Sequence, residues 1–169
     1  MFNSKIVLFD YLTIIIPTFN RKQVLNRAID YYSKFNCKII IADSSENKSH
    51  TNLSNKNIEY VHLPQLNFSS KLYYCSGLIK TKYVCLSADD DFLSLSGLFK
   101  GIEFLEKNKD FSSVHGKYSQ FILENEQIYS TNLTQNFYKL IQDDNIKDRV
   151  VNWGLILMTS LKELYHGEK

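Results

Sequence analysis

Three consecutive carboxylates, Asp89, Asp90 and Asp91, are the residues of this sequence with the clearest potential for chemistry, and we call them the acidic turn. They follow an apolar run, residues 83–86, that is typical of a buried strand. Carboxylates crowded at a strand end repel one another, and a bound cation relieves that repulsion. The spacing of Asp89 and Asp91 suits Mn²⁺ or Mg²⁺ shared with a diphosphate, while Asp90 turns toward a ribose or toward the fold. A structural alternative stays open, because acidic residues also stabilise the N-terminus of a following helix.

Apolar runs elsewhere in the chain predict the framework that positions the acidic turn. Residues 12–16 and 38–42 are rich in β-branched side chains, which indicates two strands buried on both faces. Helical spacing of apolar residues over roughly 21–35 places a helix between them, so the two strands should be parallel. Residues 58–62 and 83–86 predict a third and a fourth strand. We expect the first strand to stop at the proline that follows residue 16.

These elements predict an α/β fold: a mainly parallel, doubly wound sheet with flanking helices and a small C-terminal hairpin and helix region. The pattern over 95–105 indicates an amphipathic helix, 118–129 a hairpin, and the apolar residues from Ile146 onward a last helix. We expect a single domain over 1–169. Ligands of such sheets bind at the carboxyl ends of the strands, which is where the acidic turn lies.

Composition excludes several classes of protein. The chain has 20 basic and 18 acidic residues, a balance that requires no nucleic-acid partner. Its three cysteines lack CxxC spacing, so we expect no disulfide scaffold and no cysteine zinc site, and we expect a cytoplasmic protein. The longest apolar run near the start is far shorter than the roughly 20 residues of a membrane span. Neither a Walker motif nor G-x-G-x-x-G is present, which argues against P-loop and dinucleotide cofactors.

Three blocks of the sequence, in their order and spacing, resemble the family 2 glycosyltransferases with the GT-A fold. Residues 12–21 are similar to that family's first strand followed by Pro-x-Tyr/Phe-Asn-Arg/Lys. Residues 39–45 are similar to its Asp-Asp-Gly-Ser element, and 83–91 to its Leu-Asp-Ala-Asp-Asp metal motif. Ala42 and Ser44 depart from the second pattern, so that turn lacks the glycine that adopts positive φ without strain.

The resemblance implies roles for individual residues at the strand ends. Pro17, Thr18 and Phe19 would flank the nucleotide base, and Asp43 would hydrogen-bond to the base or the ribose. Lys71 lies in the predicted helix before the fourth strand and would approach the nucleotide, with a solvated helix lysine as the alternative. Asp90 would also contact the nucleotide, beside a metal held by Asp89 and Asp91.

The activity implied by the resemblance is metal-dependent transfer of a sugar from a nucleotide-diphosphate donor to a glycan or lipid-linked acceptor, as in the synthesis of cell-surface polysaccharides. The donor-binding half would span about 12–116. The acceptor-side region, about 117–169, is short, and no motif in it marks a general base. Four carboxylates are available there as candidates: Asp143, Asp144, Asp148 and Glu163.

Two alternatives stay open at this point. A nucleotide-sugar-binding module without transfer activity agrees with the short acceptor side. A sugar-phosphate nucleotidyltransferase has a neighbouring fold, but the glycine-rich basic loop expected after its first strand is missing here. Peripheral association with the inner face of a membrane is compatible with a lipid-linked acceptor.

Overall fold

The computed structural model describes residues 8–49, 53–116, 120–124 and 127–131. These residues belong to two compact units, one reaching to Val114 and the other starting at His115. The predicted helix after Ile146 and the four candidate general bases lie outside the described residues.

The first unit is built on four parallel strands and the helices that flank them. In chain order its elements are α1 (Leu8–Tyr11), β1 (Leu12–Thr18), α2 (Lys22–Tyr32), β2 (Lys38–Asp43), β3 (Ile58–His62), α3 (Phe68–Ser76), β4 (Tyr83–Leu86) and α4 (Leu95–Lys107). The strands lie in the order β3-β2-β1-β4, so β1 and β2 are central. All pairings are parallel, which confirms the predicted doubly wound sheet with flanking helices.

Both faces of the sheet are buried, as the continuous apolar runs predict. Ile14 and Ile16 belong to one core cluster with Leu25 of α2 and with residues of α4. Ile15 belongs to the opposite cluster, together with Cys75 of α3. Successive side chains of a strand point to opposite faces, so a strand covered by helices on both sides needs an apolar residue at nearly every position.

Strand β1 continues through Pro17 to Thr18, so the prediction that it stops at Pro17 was wrong. The Ile15 carbonyl accepts a hydrogen bond from the Ser87 amide at 3.0 Å, and alternate residues of a strand face the same neighbour. The Pro17 nitrogen therefore faces the β4 side, where strand pairing has already ended at Leu86. Proline, which has no backbone donor, is therefore tolerated at this position of the sheet.

Helix α2 is shorter than the predicted span of 21–35. It begins at Lys22 after Arg21, whose side chain makes no capping hydrogen bond, and it ends at Tyr32. Helix α3 begins after Asn67, whose side chain accepts a hydrogen bond from the Ser70 amide at 2.9 Å. Helix α3 lies between β3 and β4, and its length is enough to return the chain to the start of β4.

The described part of the second unit is an antiparallel hairpin of β5 (Gln120–Glu124) and β6 (Gln127–Thr131). Gln120 pairs with Thr131, which confirms the hairpin predicted over 118–129. In the part of the chain that the structure describes, no helix is long and apolar enough to cross a membrane.

Candidate functional site

The carboxyl ends of the central strands bring the predicted site residues of β1, β2 and the acidic turn together. Thr18, the last residue of β1, pairs with Asp43, the last residue of β2. The Thr18 hydroxyl also donates to Asp89 Oδ2 at 2.7 Å, across the end of β4. One threonine thus connects the two sequence blocks that lie 71 residues apart.

Asp89 is buried, at 4 % exposure, and both of its carboxylate oxygens are engaged. Oδ2 accepts from Thr18, and Oδ1 lies 2.8 Å from Nη1 of Arg21. The other guanidinium nitrogen, Nη2, donates to Asp90 Oδ2 at 2.7 Å. A single planar guanidinium therefore bridges two of the three carboxylates, a geometry that arginine can provide and lysine cannot.

The Arg21 bridge was missed by sequence reasoning, in which Arg21 is only the last residue of a motif block. The hydrogen bond from Arg21 lowers the pKa of Asp90, and the same bond raises the pKa of Arg21. The two partners lie 69 residues apart in the chain, so no local pattern connects them. Arg21 supplies part of the positive charge that the acidic turn needs.

Asp91 is exposed, like Asp90, but it lies outside the arginine bridge that holds the other two carboxylates of the acidic turn. Partial desolvation raises the pKa of Asp91, and the negative charges of Asp90 and Asp89 raise it further. Among the described residues, none forms an ion pair with its carboxylate. Asp91 is therefore the carboxylate of the acidic turn that is available to an added cation.

Asp43 is fully buried and bound on both oxygens. Oδ1 accepts from the Ser45 amide at 2.8 Å and from the Ser45 hydroxyl at 2.5 Å, and Oδ2 accepts from the Tyr60 hydroxyl. Burial by itself would raise the pKa of Asp43, but the hydrogen bonds from Ser45 and Tyr60 outweigh it and lower the pKa. The Asn20 amide donates to the same Ser45 hydroxyl at 2.8 Å, so Asp43 joins the ends of β1, β2 and β3. Because Asp43 is fully buried, direct contact with a base or ribose, as the resemblance implies, would require the surrounding residues to expose one of its oxygens.

Lys71 is buried at 4 % exposure, so the alternative of a solvated helix lysine was wrong. Its ammonium group donates to the Thr18 carbonyl at 2.9 Å and to the Ser44 hydroxyl at 3.0 Å. Burial lowers the pKa of Lys71, while the charges of Asp43 and Asp89 oppose that shift. Lys71 therefore lies beneath the strand ends as a buried cation that ties β1 to the chain after β2.

Phe19 and Pro17 border the surface of the site. Phe19 is 56 % exposed, and Pro17 is half-buried. An exposed aromatic ring beside a strand end offers a face on which a nucleobase can stack. Asn20 follows with φ of 53°, in the left-handed region that asparagine tolerates better than most residues. Ser44 has no such backbone, so the turn after β2 does not need the glycine of the family pattern.

An open cleft of about 470 Å³ lies between the turns that follow β1 and β2. The residues that line it all have polar side chains: Asn20, Lys22 and Ser45, with residues 46–49 of the next turn. The almost wholly polar stretch 44–57 is typical of a surface loop, although its position after a parallel strand could have marked it as part of the site. The cleft borders the Asp43 network through the shared residue Ser45.

The donor set at the acidic turn fits a metal that keeps most of its coordination for other ligands. Within the described residues, no three His, Cys, Asp or Glu side chains form a cluster that could hold an ion by themselves. Mg²⁺ and similar hard cations are commonly bound through one or two carboxylates, with phosphate oxygens and waters completing the shell. Asp91 offers such an exposed carboxylate, whereas Asp89 is buried, with one oxygen bound to Thr18 and the other to Arg21.

The fold and the strand-end site define an α/β domain of the GT-A type. The sequence matches the family model described as glycosyl transferase family 2 over residues 13–164, and the chain belongs to that family. Membership of this family supports a function in glycosyl transfer.

One solved structure similar to this chain is the crystal structure of S. aureus TarS, with 14% sequence identity and a TM-score of 0.46. The similarity covers 67% of this chain and 21% of the TarS chain, so this chain spans about one fifth of that protein's length. No curated protein sequence matches this chain.

Proposed function

We propose that this chain is the donor-binding part of a metal-dependent glycosyltransferase that moves a sugar from a nucleotide diphosphate to a glycan or lipid-linked acceptor. The observation that carries the proposal is the acidic turn, in which Arg21 bridges Asp89 and Asp90 and offsets part of their charge, while Asp91 is left for a cation. A cluster that served only to cap α4 would not need an arginine from another strand end.

Asp91 would hold Mn²⁺ or Mg²⁺ against the diphosphate of the donor. The ion would supply positive charge to the diphosphate as its bond to the sugar breaks. Arg21 already lies beside this position, and its guanidinium can stabilise the same developing negative charge. Asp89 and Asp90 act in this proposal by orienting Arg21, and Asp90, which is half-exposed, can also reach the ribose.

The nucleoside would lie over the ends of β1 and β2. Phe19 offers a stacking face beside Pro17, and the polar cleft next to it offers hydrogen-bonding groups. Asp43 would act through Ser45 and Tyr60, whose hydroxyl groups it fixes. Lys71 would act from the buried side of the strand ends, where its ammonium group holds Thr18 in place.

Transfer to an acceptor also requires a group that removes the proton of the attacking hydroxyl, which typically contributes about 10²–10⁴-fold in rate. Asp143, Asp144, Asp148 and Glu163 remain the candidates for this role. We place the reaction in the cytoplasm, and at the inner face of a membrane where the acceptor is lipid-linked. The free, buried cysteines are compatible with that reducing compartment.

The first experiment is a thermal-shift screen of the chain against UDP- and GDP-sugars, with Mn²⁺ or with excess chelator. Calorimetry with UDP and GDP then compares the wild type with Asp91→Asn, which should weaken metal-dependent binding about tenfold or more. Asp110→Asn is the matched control, because Asp110 is an exposed carboxylate beyond the far end of α4 and should not alter binding.

Equally tight binding in excess chelator would overturn the metal dependence. Donor turnover is then measured with and without a panel of glycan acceptors. Tight donor binding without any acceptor-dependent turnover would favour the nucleotide-sugar-binding module over the enzyme.

A further inference from the structure

A buried tyrosine hydroxyl contacts the acidic turn and the residues that flank it. Tyr32 is the last residue of α2 and is fully buried. Its hydroxyl oxygen lies 2.8 Å from Ser87 Oγ, 3.0 Å from the Asp91 carbonyl oxygen and 3.0 Å from the Leu93 nitrogen. One side-chain atom therefore contacts the chain before, within and after the acidic turn.

The chemistry of these three contacts is mutually consistent. The Leu93 amide can only donate, and the Asp91 carbonyl can only accept, so the single Tyr32 proton is directed to Asp91. The Ser87 hydroxyl can then donate to the Tyr32 oxygen. Burial raises the pKa of Tyr32 to about 12, so the hydroxyl keeps its proton at neutral pH.

The preceding residue, Tyr31, holds the other side of the same segment. Its hydroxyl donates to the Leu93 carbonyl at 2.8 Å, and its ring packs edge-on against Phe92 with centroids 4.9 Å apart. Both the N–H and the C=O of Leu93 are thus bound to adjacent residues of α2. We call Tyr31 and Tyr32 the tyrosine clamp.

We propose that the tyrosine clamp is a positioning device that sets the place of the Asp91 carboxylate, and hence the affinity of the site for a metal–diphosphate complex. Asp91 is repelled by Asp89 and Asp90, and no ion pair among the described residues holds its side chain. Without a restraint, that repulsion would turn Asp91 away from the site. The clamp supplies the restraint through the backbone, at the Asp91 carbonyl and again two residues later.

This inference rests on the proposed function, since the metal–diphosphate complex is the ligand that Asp91 would meet. Tyr31 and Tyr32 would touch neither the donor nor the ion, so they are positioning residues. Substituting either tyrosine should therefore lower the apparent affinity of the site for the ion. At a sufficiently high ion concentration the complex with ion and nucleotide should still form.

The test is a titration of Mn²⁺ at fixed UDP, followed by calorimetry, with GDP in a second series. For Tyr32→Phe we expect the Mn²⁺ concentration at half-saturation to rise about tenfold or more, the range known for groups that orient metal ligands. Saturating Mn²⁺ should restore nucleotide binding close to the wild-type level. Mere structural damage would lower the final amount bound without moving the midpoint, because fewer molecules would be folded.

Tyr83→Phe is the matched control for Tyr32→Phe. Tyr83 is also buried, and its hydroxyl donates to Glu106 at 2.7 Å, at the opposite end of β4 from the acidic turn. Its Mn²⁺ midpoint should stay at the wild-type value. Tyr31→Phe is a second variant that disturbs the core less, and it should shift the midpoint in the same direction as Tyr32→Phe by a smaller factor.

A wild-type midpoint in both clamp variants would overturn this inference and leave the proposed function intact. A loss of amplitude without a shift of the midpoint would overturn it as well. A wild-type chain that binds neither UDP nor GDP at any Mn²⁺ concentration would refute the metal-dependent function, and the inference with it.

Discussion

Replacing Arg21 with glutamine tests the charge balance of the acidic turn most directly. The substitution removes the guanidinium that bridges Asp89 and Asp90 and leaves a shorter, uncharged polar side chain. Asp89 would be left buried, with the Thr18 hydroxyl as its remaining hydrogen-bond donor among the described residues. Asp90 is half-exposed, so water can replace most of what it loses.

The expected loss of stability depends on how exposed the two ion pairs, Arg21–Asp89 and Arg21–Asp90, are to solvent. An exposed ion pair such as Arg21–Asp90 contributes about 0–1 kcal/mol to stability. Breaking a fully buried pair costs about 3–5 kcal/mol, but Arg21 is itself 45 % exposed, which weakens its bond to Asp89. We therefore expect Arg21→Gln to lower the free energy of unfolding by about 1–3 kcal/mol.

Urea denaturation measures the loss of stability, and its repetition with Mn²⁺ tests whether the unpaired carboxylates cause that loss. Because the freed carboxylates can accept a metal ion, Mn²⁺ should stabilise Arg21→Gln more than it stabilises the wild type. Lys107→Gln is the control, since it removes a cation from an exposed i,i+4 pair with Glu103 and should change neither quantity. A variant as stable as the wild type, or one that gains no more from Mn²⁺ than the wild type does, would refute the view of Arg21 as the internal counter-ion.

Two further predictions concern β1 and β2. Asp43→Asn should lower the free energy of unfolding by about 2–4 kcal/mol, measured by urea denaturation, because it replaces a buried carboxylate that accepts hydrogen bonds from Ser45 and Tyr60. Since folding lowers the pKa of Asp43, its stabilising effect is complete above the unfolded value of about 3.9 and is lost as pH falls through the folded value, so the two proteins should converge in stability at strongly acid pH. Phe19→Ala should weaken calorimetric binding of UDP or GDP with an unchanged melting temperature, because the ring is exposed; a large fall in melting temperature would instead show that it packs in the fold.

The strands could be predicted from the sequence because their signal is local and strong. An unbroken run such as Ile14 to Ile16 is stable only where both faces are covered, and the structure buries those side chains on opposite faces. The end of β1 could not be predicted in the same way. Whether Pro17 interrupts a strand depends on where the neighbouring strand stops, and that neighbour is about 70 residues away in the chain.

The partners within the site could not be predicted because they depend on long-range contacts. Lys71 has the spacing of an ordinary helix lysine, and only the packing of α3 against the sheet turns it inward. Tyr32 lies on the apolar face of α2, so the helical pattern indicates only that it is a core residue. The pattern gives no sign that its hydroxyl group forms hydrogen bonds with residues some 60 positions later. The residue types at the strand ends were therefore enough to locate the site. Which charged side chains pair with one another could be identified only from the folded structure.

The pairing of charges in the site gives a reason to expect a metal ion there. Arg21 balances Asp89 and Asp90 in part, and Lys71 lies close enough to Asp43 and Asp89 to offset some of their charge. The carboxylates of this group still outnumber its cations, and Asp91 is the one carboxylate of the acidic turn without an ion pair among the described residues. Partial burial raises the pKa of Asp91, and the charges of Asp90 and Asp89 raise it further. A donor diphosphate would add more negative charge at the same place, so its approach is unfavourable unless another cation accompanies it. We therefore expect the requirement for a divalent ion to depend on Asp91 and on whatever holds it in position, more than on the two carboxylates that Arg21 already binds.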